Sequence, residues 1–268
     1  MAMGNASTGI PDPTALLRIE RVGSILTVGL NRPAKRNALN DSTVRAIDEC
    51  FSTIASDVRV VVVYGVGDHF SAGLDLSELS ETDVIEGLEH SRMWHRAFEK
   101  VQYARVPVVA ALKGAVIGGG LELACACHIR VAEPSAYYAL PEGQRGIFVG
   151  GGASVRLPRL VGVARMADMM LTGRVYTASE GVTLGFSQYL TAEGGAYDKA
   201  LELAERITTN APLTNFAVLQ ALPLIAEAPP QVGFMMEALT ATVAQNSKEA
   251  KERIRAFLER KAGRVRPT

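Results

Sequence analysis

Gly118-Gly119-Gly120-Leu121-Glu122-Leu123-Ala124-Cys125 is the stretch on which the fold turns: three glycines, then one carboxylate inside an otherwise apolar run. Glycine lets a backbone approach its neighbours closely, and a helix that begins there leaves its first N–H groups without intrahelical acceptors. A lone charge among Leu, Ala and Cys is costly to bury unless it is paired or used. The combination predicts an anion-binding helix start beside a buried acid or base. Just upstream, Val106 to Leu112 is an apolar, β-branched run with Pro107 near its start, which predicts a buried strand feeding the glycines through Lys113-Gly114.

Outward from this centre the chain alternates between strand and helix patterns. Leu16 to Leu30 alternates like a half-buried strand or hairpin, with a turn near Gly23-Ser24. Asn31-Arg32-Pro33 breaks it, and Asn40-Asp41-Ser42 then predicts the start of a helix to about Ser56. Val58 to Val66 predicts a strand buried on both faces, followed by a loop from His69 to Asp75. The segment from about Ser80 to Tyr103 predicts a helix carrying His90, Met93, Trp94, His95 and Phe98. Downstream, Ile129 to Ala132 predicts a short strand, Pro141 to Gly152 a second glycine-rich loop, and Ala153 a helix start. From about Ala196 to Lys261 the pattern is nearly all helical. Repeated strand–strand–helix turns predict the α/β class, divided as a flexible tail over 1–13, a core over 14–195 and a helical C-terminal region over 196–268.

At 268 residues, 48% hydrophobic and 21% charged, the chain has room for one large core. Its 28 basic and 28 acidic residues balance, so charge gives no reason to expect nucleic acid or an anionic membrane as a partner. Three cysteines, two of them in the apolar helix, fit a reduced, cytoplasmic setting better than a disulfide scaffold. The first residues read as a polar tail rather than a secretory leader, and Gly, Lys or Glu interrupts the longest apolar runs, so no membrane span is expected. His90 and His95 are five apart, off the spacing of a helical ligand pair, and no Cys-x-x-Cys or His-Glu-x-x-His occurs, so no metal site is expected. The glycines form neither a dinucleotide fingerprint nor a P-loop, and Arg156 breaks the serine-hydrolase elbow around Ser154.

Three segments taken together carry a resemblance: Asn31-Arg32-Pro33 with Asn37-Ala38-Leu39-Asn40, Phe70-Ser71-Ala72-Gly73-Leu74-Asp75-Leu76, and the Gly118 helix start. In order and spacing they resemble the enoyl-CoA hydratase/isomerase (crotonase) superfamily, over nearly the whole chain from Leu16 to Lys261. The resemblance implies a spiral of ββα turns with a helical C-terminal oligomerisation region, assembled as a homotrimer or homohexamer. It implies an acyl-CoA substrate, with coenzyme A as part of that substrate and no separate cofactor. The backbone N–H groups of Ala72 and Gly119 would form an oxyanion hole for the thioester oxygen. Glu122 and Glu142 (in the pair Pro141-Glu142) lie twenty positions apart, as the two glutamates of hydratases do. Such a pair suits syn hydration of a 2,3-double bond, with Glu122 activating the water and Glu142 protonating Cα. Burial should raise both carboxyls, and repulsion should keep one proton shared between them. A buried structural salt bridge for Glu122 and a loop cap for Glu142 are the plainer alternatives.

For coenzyme A, the resemblance implies contacts from the backbone of Ala38, Ala72, Leu74 and Leu76, with Asp75 in the same segment. Lys35 or Arg36 would lie near the phosphates or be merely solvated. Phe257 and Lys261 sit on the last helix, which either reaches a neighbouring subunit's adenine pocket or is simply amphipathic. The chain departs from the hydratase pattern at Leu140, where many members carry Gln, and in the loop Gly146-Ile147-Phe148-Val149-Gly150-Gly151-Gly152. Leu140, that loop with Phe148, and the stretch Arg92-Met93-Trp94-His95 are expected to border the acyl pocket, which leaves a short or unusual acyl group open beside a β-oxidation substrate. The pattern looks like methylthioacryloyl-CoA hydratases. An isomerase, a thioester hydrolase on the same scaffold, and an RNA-binding member using the basic cluster from Lys251 to Arg266 are the alternatives. The glutamates interspersed in that cluster favour a solvated helix face.

Overall fold

β-Branched runs set the frame. A computed structural model of the chain describes residues 15–78 and 83–259; the expected tail over 1–13, and Lys261, lie outside them. β1 (Leu17–Val22) and β2 (Ile25–Leu30) pair antiparallel around Gly23, whose φ of +60° suits glycine. α1 (Asp41–Ser52) starts where Asn40 Oδ1 accepts from Thr43 N at 3.0 Å, and it stops short of the expected Ser56. β3 (Val60–Gly65) is followed by the loop and then by α2 (Val84–Gln102), opened by a capping box between Asp83 and Glu86. β4 (Val108–Leu112) and β5 (Ala115–Ile117) lead into α3 (Gly119–Ala126), every residue of which is buried.

β6 (Ile129–Ala132) and β7 (Tyr137–Ala139) precede the second glycine-rich loop. Then come α4 (Ala153–Val161), α5 (Val163–Thr172), β8 (Tyr176–Thr177), α6 (Ala178–Leu184) and β9 (Tyr189–Leu190). The rest is helical: α7 (Ala196–Thr208), α8 (Pro212–Gln220), α9 (Leu222–Glu227), α10 (Pro230–Gln245) and α11 (Lys248–Leu258). The class is α/β with a helical C-terminal region, as expected from the sequence.

The large sheet has the order β1-β2-β3-β4-β6-β9 and is parallel from β2 onward; a small sheet has the order β5-β7-β8. Alternation along the strands divides the interior. Val61, Val63, Val108, Ala110 and Leu112 enter the main core with α1, α2, α3 and α4. Val60, Val62, Val109 and Ala111 face the other way and pack on Ala196, Ala200, Leu203 and Ala204 of α7. Helices thus cover both faces, which explains the unbroken Val60-Val61-Val62-Val63 run. All three cysteines are free and buried, and burial pushes the thiols up to about 11 at Cys50 and Cys125 and about 12 at Cys127. Among the described residues no helix is long and apolar enough to cross a membrane.

Candidate active site

Two isolated parallel bridges, Ser71 to Val116 and Leu39 to Leu74, bring the Phe70–Leu76 segment against the start of α3. In the second bridge Leu39 donates to Gly73 O at 2.7 Å and accepts from Asp75 N at 2.9 Å. The N–H of Leu74, between them, is left out of that ladder and faces the other way. On that side lies Gly119: a Cβ built on it would sit 3.5 Å from Leu74 N, and one built on Gly73 would sit 3.2 Å from Gly119 N. Gly119 is the first residue of α3, so its N–H has no acceptor within the helix. The Gly119 Cβ would also meet Trp94 Cζ3 at 2.6 Å, so any side chain there must displace the indole or the helix.

Ala72 does not fit the role expected of it. Its N–H donates to Arg36 O at 2.9 Å, so that amide is already used. The spare amide of this segment belongs to Leu74, and the correction has a physical cause: the bridge to Leu39 turns alternate N–H groups to opposite sides. Asn37 explains the rest of the motif. Its buried side chain donates to Val66 O (2.9 Å) and His69 O (2.7 Å) and accepts from Arg32 N (2.9 Å), locking the two segments together.

Glu122 is buried on the inner face of α3. Its Oε1 accepts from Gly151 N at 2.9 Å and from Ala153 N at 3.0 Å. Burial drives its carboxyl above the ordinary carboxylate range, against the pull of those amides and of the Arg156 guanidinium. Its hydrogen-bond partners are amides, not the cation a structural salt bridge requires. A Cβ on Gly151 would lie 2.7 Å from Glu122 Oε2, so glycine is needed for the loop to close over the carboxylate.

Glu142 follows Pro141 at the start of a short 3-10 turn, Gly143–Arg145. It is not a cap through its side chain: its main-chain carbonyl takes the N–H groups of Arg145 (3.0 Å) and Ile147 (3.1 Å). Oε1 reaches Gly118, where a Cβ would lie 2.7 Å from it, and φ is +50°. Oε2 is buried and has no hydrogen-bond partner. Burial pushes this carboxyl up to about 7, with the charge of Glu122 adding to the shift and Arg145 opposing it. A buried carboxyl oxygen with no protein partner leaves room for its own proton, a water or a ligand.

Both carboxyls open into one cavity of about 320 Å³, lined also by Leu74, Leu76, Gly119, Trp94, Ile147 and Phe148. Ala72 lines it as well, although its N–H is committed to Arg36 O. From α2 it receives Gly87, His90, Ser91 and Trp94, a helical spacing that points one stripe at the site. Of the stretch 92–95, Trp94 is the residue that lines this cavity. Met93 turns into the core, and His95 lines a separate cavity of about 570 Å³ with Glu99 and Arg156. Leu140 is also corrected: it is fully buried in the main core and does not border the cavity. Phe148 is 69% exposed at the rim.

His90 and Ser91 were not anticipated as lining residues, and only the stripe on α2 could have signalled them. Ser91 Oγ donates to Gly150 O at 2.7 Å, fastening α2 to the glycine loop. His90 Nε2 lies 2.9 Å from Asp41 Oδ1 and 3.2 Å from Trp94 Nε1.

The residues expected to meet coenzyme A fall into two groups. Lys35 is exposed and reaches Ser77 Oγ at 3.3 Å, and Arg36 is exposed with φ +50°. Ala38 and Asp75 are structural in this chain. Ala38 O accepts from Arg32 Nη1 at 2.6 Å, and Asp75 is buried against Arg32 Nη2 at 2.8 Å. Ser77 and Arg32 hold the Asp75 carboxyl below its usual range against the cost of burial. Phe257 is exposed on α11 and does not line the cavity.

The sequence and the fold have counterparts in known proteins. A family model described as Enoyl-CoA hydratase/isomerase matches residues 20–264. The chain belongs to the enoyl-CoA hydratase/isomerase family. Within the family it is 34% identical over 251 residues to the 2,3-dehydroadipyl-CoA hydratase of Escherichia coli, covering 91% of this chain and 96% of the relative. It is 30% identical over 246 residues to the short-chain-enoyl-CoA hydratase of Clostridium acetobutylicum, covering 91% of this chain and 94% of the relative. A solved structure of a candidate enoyl-CoA hydratase from Rhodopseudomonas palustris is 70% identical with a TM-score of 0.91, covering 95% of this chain and 98% of that one. Membership of the enoyl-CoA hydratase/isomerase family makes this an enzyme of enoyl-CoA chemistry with the crotonase fold.

Proposed function

We propose that the protein is an enoyl-CoA hydratase that adds water syn across the 2,3-double bond of a thioester. The observation that carries this is the pair of buried carboxyls in one cavity with unlike partners: Glu122 Oε1 takes two amides, while Glu142 Oε2 takes none. An oxygen that receives N–H donors is suited to the ionised form; an unpartnered oxygen in a buried carboxyl raised to about 7 is suited to the protonated one.

The thioester oxygen sits between the amides of Leu74 and Gly119, where the N-terminus of α3 adds its field to the enolate that forms. Glu122 Oε2 accepts a proton from water as the oxygen bonds to Cβ. The π electrons move to the thioester, and Glu142 delivers its proton to Cα from the same side. Water has then been split between the two carbons, and the proton gained by Glu122 replaces the one lost by Glu142 after exchange. An isomerase needs one base to move a proton between carbons, so the second buried acid favours hydration.

A cavity of about 320 Å³, capped by Trp94 and Phe148, favours a short acyl group, and methylthioacryloyl-CoA belongs in the test set. Coenzyme A runs outward past Leu76 towards Lys35 and Arg36 on this proposal. Enoyl-CoA esters of graded length should lose their enoyl absorbance without release of free thiol. Thiol release would make the enzyme a hydrolase, and a displaced double bond would make it an isomerase.

A further inference from the structure

α4 carries a buried cation that the chemistry above leaves unused. Arg156 is 8% exposed, and its fork is spent on two fixed acceptors. Nε donates to Gln102 Oε1 of α2 at 2.6 Å, and Nη1 donates to Gly151 O at 2.9 Å. Gly151 in turn gives its N–H to Glu122 Oε1 at 2.9 Å. One residue therefore stands between guanidinium and carboxylate, pulled by its carbonyl and holding by its amide. At the next position, Gly152 has φ +103°, and a Cβ there would run into Arg156 Nη1. Glycine at 152 is what allows the guanidinium to lie back across the loop.

Charge balance points the same way. An arginine stays protonated in proteins, so burying it calls for a nearby anion. The groups facing Arg156 are Glu122 and Cys125 of α3, and Glu99 and Tyr103 at the end of α2. Cys125 is neutral, its thiol pushed up to about 11, while Glu99 and Tyr103 are exposed. Facing Glu122 from the loop after β7 is Glu142. That leaves Glu122 as the buried anion able to balance the guanidinium.

We infer that Arg156 is a positioning residue for Glu122: through Gly151 it fixes the amide that aims Oε1, and it sets a cation on the far side of that relay. The inference rests on the base role given to Glu122 above. Two variants separate the charge from the fork. Arg156→Gln removes both; Arg156→Lys keeps the charge, but an ammonium lacks the planar fork that joins Gln102 to Gly151.

The decisive measurement is an infrared pH titration of the carboxyl band of Glu122, identified by its loss in Glu122→Gln, in a Glu142→Gln background. Adding Arg156→Gln should raise its protonation by about one pH unit, the effect of removing a facing cation. Adding Arg156→Lys, which keeps the cation, should raise it by less than Arg156→Gln does. In the otherwise unaltered enzyme Arg156→Lys should lower kcat about tenfold with little change in KM, since a loosened loop misaims the base. An unmoved titration with Arg156→Gln, or a Lys variant with parental kcat, overturns the inference; should the Gln variant not fold, the Lys variant decides. If the parent hydrates no enoyl-CoA, the proposed function falls, while the carboxyl titration still judges Arg156.

Discussion

Replacing Glu142 by Gln puts an amide of nearly the same size beside Gly118 and removes the acid. Hydration should fall by roughly 10²–10⁴-fold, the usual weight of a positioned proton donor, with the far-ultraviolet circular dichroism spectrum unchanged. The same side chain fixes a pH dependence. Its carboxyl is held at about 7 in the folded chain against an ordinary 4.5, so the folded state keeps a proton that the unfolded state gives up between those values. The stabilisation from this group is complete below about pH 4.5 and is lost as pH rises through about 7. The Tm of the parent should therefore decline over that range relative to the Tm of Glu142→Gln, and kcat should decline above about pH 7 as the acid ionises. Parallel Tm curves for the two proteins would contradict the raised carboxyl. Both glutamates were legible in the sequence because a charge in an apolar helix and a Pro-Glu pair are local signals. The spare amide was not: whether Ala72 or Leu74 offers its N–H depends on a bridge to Leu39, and no local pattern records that register.

At the scale of elements, α2 and α3 meet where Trp94 lies on Gly119. Gly119→Ala places a methyl 2.6 Å from Trp94 Cζ3, so either the indole moves or α3 shifts away from Leu74. The expected result is a loss in kcat/KM of about tenfold or more, in line with loss of an oxyanion donor. Adding Trp94→Phe, which lacks the offending ring, should recover part of that loss; no recovery would place the strain elsewhere. The helical period also explains what the sequence did and did not disclose about this wall. Trp94 was identified, but its neighbours Met93 and His95 leave the stripe in opposite directions, into the core and into a second cavity. Leu140 follows the last residue of β7, and its side chain enters the core rather than the cavity. The strands β5, β7, β8 and β9 have only two or three residues each, too few to show an alternation.

For the molecule as a whole, long β-branched runs and the ordered motifs made the α/β class readable. The packing of α7 on the second face of the large sheet was not, because its small apolar residues match a surface formed by four separate strands. The C-terminal helices leave large apolar side chains uncovered: on α10 Phe234, Met235, Leu239 and Val243 are each at least 60% exposed. A patch of that kind calls for a partner surface, and the assembly expected from the sequence supplies one in further copies of the chain. Sedimentation should give a species well above the 28.6 kDa of one chain, and Phe234→Glu with Leu239→Glu should shift it to the monomer. A parent that sediments as a monomer removes that expectation. The three cysteines offer a last consequence. Buried, and held as thiols well above neutral pH, they offer an alkylating reagent little thiolate to attack until the chain opens. Iodoacetamide uptake should then be negligible in the native enzyme and should rise with urea in step with the loss of ellipticity. Each labelled sulfur would timestamp an excursion out of the folded basin, so the polypeptide carries its own clock for rare opening events.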